Sequence, residues 1–419
     1  MSDSTATLSL EGKDYILPII VGTEQEKAFD ISTIRDVSGY VTLDSGYKNT
    51  GATTSKITFL DGELGILRYR GYDIAEVADM ADFVETSYLL LYGELPSATQ
   101  LEQFSQKLKE NSDVPPEVAK MLKAMPSSMH PMAQLAAVTL SFSGFFPKDA
   151  AKPTDETIIT LLAKFPTLVA MVMRNFQGLD FIAPDSTLDY VSNFLYMAFG
   201  KKATPAVVDA MDKLLILHGD HEQNCSTSTV RMVGSSNANI YASVSGGLCA
   251  LWGPLHGGAN QAVLEQLEAI EADGGDAMKF VNLAKDKTSG IRLMGFGHRV
   301  YKSFDPRAKI IKVACDNVLQ ELGGSNKKLA IAKQLEAAAL SDEYFITRDL
   351  YPNVDFYSGL IYNALDFPTE MFTPLFALGR IPGWVAQWKE MKENKEPISR
   401  PRQIYMGNSI RTFIKIQDR

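Results

Sequence analysis

The sequence predicts a mainly α-helical protein with a small β-rich region at its N-terminus. Three observations carry this. The first ~70 residues interleave β-branched and aromatic residues with turn residues at short intervals. From about Tyr72 onward, capped stretches of helical periodicity dominate. The 419 residues, 45% hydrophobic and 22% charged, are an ordinary folded composition. At roughly 150 residues per domain, that length suits two or three domains.

Taken in order, residues 15–21, 57–60 and 66–69 read as strands, the last two flanking Asp61-Gly-Glu-Leu-Gly65, whose glycines suit a hairpin loop. A helical segment over 85–92 stops at Gly93. Ser97-Ala-Thr-Gln100 is a capping box, after which Leu101, Phe104 and Leu108 form one apolar face. Pro115-Pro116 opens another helix through Val118, Met121 and Leu122. Helical stretches recur near 156–174, 206–217, 261–271, 307–322, 327–340 and 371–392, without a repeat period that would indicate a solenoid. Residues 232–264 contain no Asp, Glu, Lys or Arg, and a membrane span needs ~20 apolar residues. Glycine, serine and asparagine interrupt the run, so it reads as a buried helix of small residues. It ends at Gly253-Pro254, in a turn that presents His256.

Several classes are excluded. Against 41 basic residues stand 50 acidic ones, a net charge of −9 that argues against a nucleic acid partner. Cys225, Cys249 and Cys315 are odd in number and lack C-x-x-C spacing, which removes a disulfide framework and a cysteine zinc module. The N-terminal residues resemble neither a signal nor a transit peptide, so the expected location is cytoplasmic, with no membrane partner.

Four of the five histidines, His218, His221, His256 and His298, fall within 81 residues, and only His130 stands apart. His256 and His298 sit among glycines that let a ligand approach the backbone. The string Gly295-Phe-Gly-His298 is not a dinucleotide fingerprint, because Val300 replaces the third glycine. It is not a P-loop either, because Tyr301 precedes Lys302. His218 and His221 with Asp220 or Glu222 stay open as metal ligands beside the reading as core histidines. Arg380 lies in an apolar, glycine-rich stretch where its charge needs a partner. A small dicarboxylate bound by Arg380 with Arg307, Arg400 and Arg402 would supply one. Asp355, followed by Phe356 and Tyr357, is either a base with a raised pKa or a helix cap.

Together these strings resemble citrate synthase. The motifs, in that family's order, are His-Gly-Asp-His-Glu-Gln-Asn at 218–224, Gly-Pro-Leu-His-Gly-Gly-Ala-Asn at 253–260 and Gly-Phe-Gly-His-Arg-Val-Tyr-Lys at 295–302. Asp-Pro-Arg at 305–307, Pro-Asn-Val-Asp-Phe-Tyr-Ser-Gly at 352–359 and Arg-Pro-Arg at 400–402 follow. The likeness includes Lys56-Ile-Thr-Phe and Tyr69-Arg-Gly-Tyr72, covers nearly the whole chain and is to the larger bacterial type. It implies a two-domain helical fold: a β-rich region over 1–70, a large domain over 71–260 and 371–419, and a small domain over 261–370. The resemblance makes Asp355 the base, His256 the hydrogen-bond donor to the thioester oxygen and His298 the group that polarises the ketone. His221, Arg307 and Arg380 would hold oxaloacetate, Arg400 would reach in from a neighbouring subunit, and Lys302 would meet the CoA phosphates. The implied partners are oxaloacetate and acetyl-CoA, the latter as substrate, with no cofactor and no metal, in a homodimer or a dimer-based hexamer. A 2-methylcitrate synthase using propionyl-CoA and a non-catalytic CoA-binding relative remain the alternatives.

Overall fold

The computed structural model describes residues 4–126, 128–151, 154–297, 301, 305–322 and 327–419. It is 57% helix and 7% strand, the mainly α architecture expected, with its β structure near the N-terminus. The chain divides into two compact units, residues 1–54 with 399–419, and residues 55–398.

In the smaller unit, β1 (Thr5–Leu10), β2 (Lys13–Val21) and β3 (Lys27–Phe29) form an antiparallel sheet in that order. Leu10 pairs with Lys13 across the first turn. A short helix, Ile34–Ser38, follows, and residues 399–419 form no helix or strand but for one 3₁₀ turn at Ile416–Asp418. β2 matches expectation, whereas β1 and β3 were not anticipated. Their sequences, TATLSL and KAF, are almost wholly solvent-facing and carry little hydrophobic signal.

The larger unit opens with a second antiparallel sheet: β4 (Thr58–Asp61), β5 (Ile66–Tyr69) and β6 (Tyr72–Asp73). Leu67 and Tyr69 of β5 are fully buried and point the sheet's inner face at the helices. Helix boundaries follow the sequence where caps are legible. The capping box at Ser97 and Gln100 starts Ala98–Glu110, and Pro116 stands at the first turn of Pro116–Ala124.

At the centre lies Phe372–Glu393, in which every residue from Phe372 to Trp388 is buried. It touches Phe83–Tyr92, Asp155–Phe176, Pro205–His218, Cys225–Ser235 and Ile240–Leu251. Its approach to the end of Pro205–His218 is set by glycines. A Cβ at Gly379 would lie 2.8 Å from the Cβ of His218, and one at Gly383 would lie 2.2 Å from the Gly219 carbonyl oxygen. Helix backbones meet this closely only where side chains are absent. The small-residue stretch does form a helix, Ile240–Leu251, with Ser243, Ser245 and Gly247 buried. Asp155–Phe176 is long and apolar enough to cross a membrane, but 89% of its apolar window is buried inside the protein.

Two substitutions test this packing. Gly383→Ala forces a methyl group against backbone and should lower unfolding free energy by on the order of 3 kcal/mol. Gly144→Ala, at a helical position with no atom near the added methyl, should raise it by roughly 0.5–1 kcal/mol. Chemical denaturation checks both. Equal effects would mean that the Gly383 contact is not close-packed.

Candidate active site

Five elements of the larger unit bring the candidate residues together, and each is held by identifiable bonds. The turn after Pro205–His218 is fixed from below by Tyr69, fully buried on β5. Its hydroxyl donates to the Ile216 carbonyl at 3.0 Å and accepts from the Asp220 amide at 3.1 Å. His218, at the helix end, directs Nδ1 at the Leu214 carbonyl at 2.6 Å. A carbonyl only accepts, so Nδ1 carries the proton, and Nε2 is a bare acceptor with no partner among the described residues. Burial drives the His218 pKa down to about 3, helped by Arg307 and Arg380, so the ring is neutral. His221, also buried, pairs its Nε2 with the Tyr301 hydroxyl at 3.2 Å.

Arg307 follows an Asp-Pro pair that starts a helix. Asp305 caps Pro306–Glu321 and Pro306 occupies its first position. The same carboxylate, 2% exposed, grips the Arg307 guanidinium with both oxygens, 3.0 Å to Nε and 2.9 Å to Nη2. It also accepts the Val354 amide at 3.1 Å, the residue before Asp355. Burial opposes the Arg307 charge, but Asp305 and Tyr301 outweigh it and hold the pKa above its usual value. Arg380 is different. Nε donates to the His218 carbonyl at 2.5 Å, the guanidinium lies 5.0 Å from the Phe376 ring, and Nη1 has no partner among the described residues. Burial lowers its pKa.

Asp355 lies in the first turn of Val354–Ala364 and is not its cap. Asn353 caps the helix, accepting the Asp355 amide at 2.9 Å. That removes the helix-cap reading of Asp355. Asn353 also joins this helix to the loop that leads to His298. Its amide nitrogens donate to the Gly295 and Gly297 carbonyls at 2.9 and 2.8 Å, and the Gly297 amide donates to the Tyr351 carbonyl at 2.8 Å. Gly297 has φ +75°, and an added Cβ would lie 2.9 Å from Leu350. Asp355 is half-buried, and burial pushes its pKa up to about 6 against the pull of Arg307 and Arg380, with Asp305 adding to the rise.

His256 sits in the turn after Ile240–Leu251. Its Nε2 accepts the Ser226 amide at 3.2 Å and lies 2.9 Å from the Ser226 hydroxyl, so a neutral ring carries its proton on Nδ1. Trp384 donates to the same hydroxyl at 3.2 Å. The Phe376 ring lies 4.5 Å from that of His218 and 6.3 Å from that of His256, joining the two histidine sites. Among the described residues no three metal-capable side chains form a group.

The structure therefore gathers His221, Arg307, Arg380 and Asp355 around one region, with His256 connected to it through Phe376. His298 and Lys302 lie outside the described residues. Arg400 belongs to the other unit and is exposed. Sequence reasoning assigned no role to Asp305, Tyr301, Tyr69 or Ser226. Only Asp305 had a local signal, as the cap in Asp-Pro-Arg.

The citrate synthase C-terminal domain profile matches residues 46–402. The chain belongs to the citrate synthase family. Citrate synthase 1 of Mycobacterium tuberculosis is 50% identical, over 100% of this chain and 99% of its own length. The citrate synthase of Corynebacterium glutamicum is 47% identical, over 100% and 98%. Among solved structures, the ternary complex of carboxymethyl coenzyme A and oxaloacetate with citrate synthase from Thermoplasma acidophilum superposes with a TM-score of 0.84. It is 32% identical, over 90% of this chain and all of that one.

The raised Asp355 pKa gives a linked prediction. The folded state holds this proton more tightly than the unfolded chain, so ionisation costs stability between pH 4 and 6. Asp355→Asn should match the parent protein in stability below about pH 4 and exceed it by on the order of 1–3 kcal/mol above pH 6. Denaturation at several pH values reads this. A constant difference across the range would mean that the pKa is not raised.

Proposed function

We infer that this citrate synthase family member condenses acetyl-CoA with oxaloacetate and hydrolyses citryl-CoA to citrate and CoA. The observation that carries the reading is the half-buried carboxylate of Asp355, with a pKa near 6, within electrostatic reach of the buried Arg307 and Arg380. A carboxylate raised to that range is a stronger base than usual and still ionised at neutral pH. Its first-turn position favours that ionised form through the helix dipole.

In this reading Asp355 removes a proton from the methyl group of acetyl-CoA while the His256 Nδ1–H donates to the thioester oxygen, where the negative charge collects. That donor is preorganised, because the Ser226 amide fixes the tautomer. The methyl carbon then bonds to the ketone carbon of oxaloacetate, and His298 protonates the ketone oxygen. Water next cleaves the thioester, releasing the CoA thiol and leaving a carboxylate. His221, Arg307 and Arg380 hold the oxaloacetate dianion, Arg400 reaches in from a neighbouring subunit, and Lys302 meets the CoA phosphates. Segment 261–370 acts as the small domain whose closure keeps water out until condensation is complete. The enzyme works in the cytoplasm as a homo-oligomer, with neither metal nor bound cofactor. The names of the relatives favour acetyl-CoA over propionyl-CoA.

Thiol release with oxaloacetate and a panel of acyl-CoA esters tests the activity. Acetyl-CoA should be turned over fastest. A preference for propionyl-CoA would make the enzyme a 2-methylcitrate synthase, and no release with any ester would leave a non-catalytic CoA binder. Asp355→Asn should slow condensation by at least ~10²–10⁴-fold, with little change in oxaloacetate affinity. For Arg400, mixing inactive Arg400→Ala and Asp355→Ala proteins should restore activity, because some mixed dimers rebuild one intact site. Demonstrated subunit exchange without recovery would show that the site is not shared.

A further inference from the structure

Resting on that reading, we propose that Gln387 is a positioning residue of the oxaloacetate pocket: its amide locks the turn carrying His221 in register with Arg380. Gln387 lies two turns beyond Arg380 on the central Phe372–Glu393 helix and is 1% exposed. The face it shares with Arg380 includes Gly379 and Gly383, the positions at which this helix meets the 215–220 backbone. Arg380 and Gln387 thus grip the two ends of one turn, the first at the His218 carbonyl and the second at Asp220 and Gln223.

The hydrogen bonds fix which way the amide faces. Arg231 Nη1, which can only donate, lies 2.9 Å from Gln387 Oε1, and Gln223 Nε2 donates to the same oxygen at 3.0 Å. The amide nitrogen therefore faces Asp220, donating to Oδ2 at 3.4 Å. Asp220 Oδ2 also accepts the Glu222 amide at 3.1 Å, which closes the turn around His221. Arg231 is anchored in its own right, to the Gln387 carbonyl at 3.0 Å and to Glu396 at 2.5 Å. It stands on Cys225–Ser235, the helix whose Ser226 orients His256. One buried amide thus spans the oxaloacetate-side turn and the helix behind the thioester-side histidine. An ionised glutamate lacks the donor for Asp220, and a hydrocarbon lacks both groups.

The test exchanges donor for acceptor. Gln387→Glu keeps the acceptor for Arg231 and Gln223 but sets a carboxylate against Asp220. It should raise the oxaloacetate KM at least ~10-fold, while kcat and the acetyl-CoA KM stay within ~3-fold, the pattern of lost ground-state binding. Lowering the pH should reverse the defect, as one proton comes to be shared between the facing carboxylates. Gln387→Met removes donor and acceptor together without adding a charge, and should raise the oxaloacetate KM by a similar factor that lowering the pH does not reverse. The proposal is overturned by an unchanged oxaloacetate KM in Gln387→Glu, by an equal rise in the acetyl-CoA KM, or by a parent-like oxaloacetate KM in Gln387→Met. If Gln387→Glu does not fold, Gln387→Met decides alone: a raised oxaloacetate KM with kcat near that of the parent supports the role, and a parent-like KM refutes it. The unmodified protein in the same assay keeps the two readings apart. Its inactivity would refute the proposed function, whereas its activity beside unaffected variants would refute only the role of Gln387.

Discussion

Removing a guanidinium from water costs several kcal/mol unless it is paired and hydrogen-bonded, and this fold buries two within electrostatic reach of each other. They are accommodated in opposite ways. Arg307 meets its counter-charge inside the protein, gripped by both oxygens of Asp305, and that carboxylate also holds the backbone beside Asp355. Arg380 receives one carbonyl and the face of one ring. The pair presents one guanidinium already pinned and one that retains donor capacity, an arrangement that suits the doubly charged anion of the proposed reaction.

The rest of the larger unit can be understood as support for this arrangement. A helix buried along most of its length is the rigid element on which Arg380, Trp384 and Gln387 are spaced, and between them they hold the 218–223 turn and the helix Cys225–Ser235. Gly379 and Gly383 allow the end of Pro205–His218 and the turn after it to lie against the helix backbone, so their position is set by backbone contact as much as by side-chain bonds. Tyr69 secures the same turn from the sheet side. A buried, hydrogen-bonded setting of this kind holds side chains in place without rearrangement on binding, as preorganised electrostatics requires.

Legibility in the sequence followed the physics of each signal. Amphipathic helices with polar caps, such as Ala98–Glu110, were evident, because one face meets water and the other the core. Pro131–Phe145 and Tyr190–Phe199 were not, because apolar residues surround much of their circumference and leave no stripe to read. In the site, Asp355, Arg307, Arg380, His221 and His256 could be picked out by their settings and by family motifs. Ser226 could not be, since its importance lies in a bond to a histidine 30 residues away. For Tyr69 the separation is greater still: its partner Asp220 lies 151 residues along the chain. Residues that act by holding others leave their signature in tertiary contacts, and composition or spacing does not record those.

The bonds between Gly295–Gly297 and Tyr351–Asn353 have a mechanical meaning as well. They tie residues 295–297 to the cap of the Asp355 helix by three hydrogen bonds, two of which form the β-bridge between Phe296 and Pro352. Asp305 adds a fourth tie, from the Arg307 helix to Val354. Asp355, the Asp305–Arg307 pair and residues 295–297 are thus parts of a single tied block. A hinge elsewhere would carry that block as one body, so opening the site would admit and release ligands without disturbing the alignment among its own reacting groups.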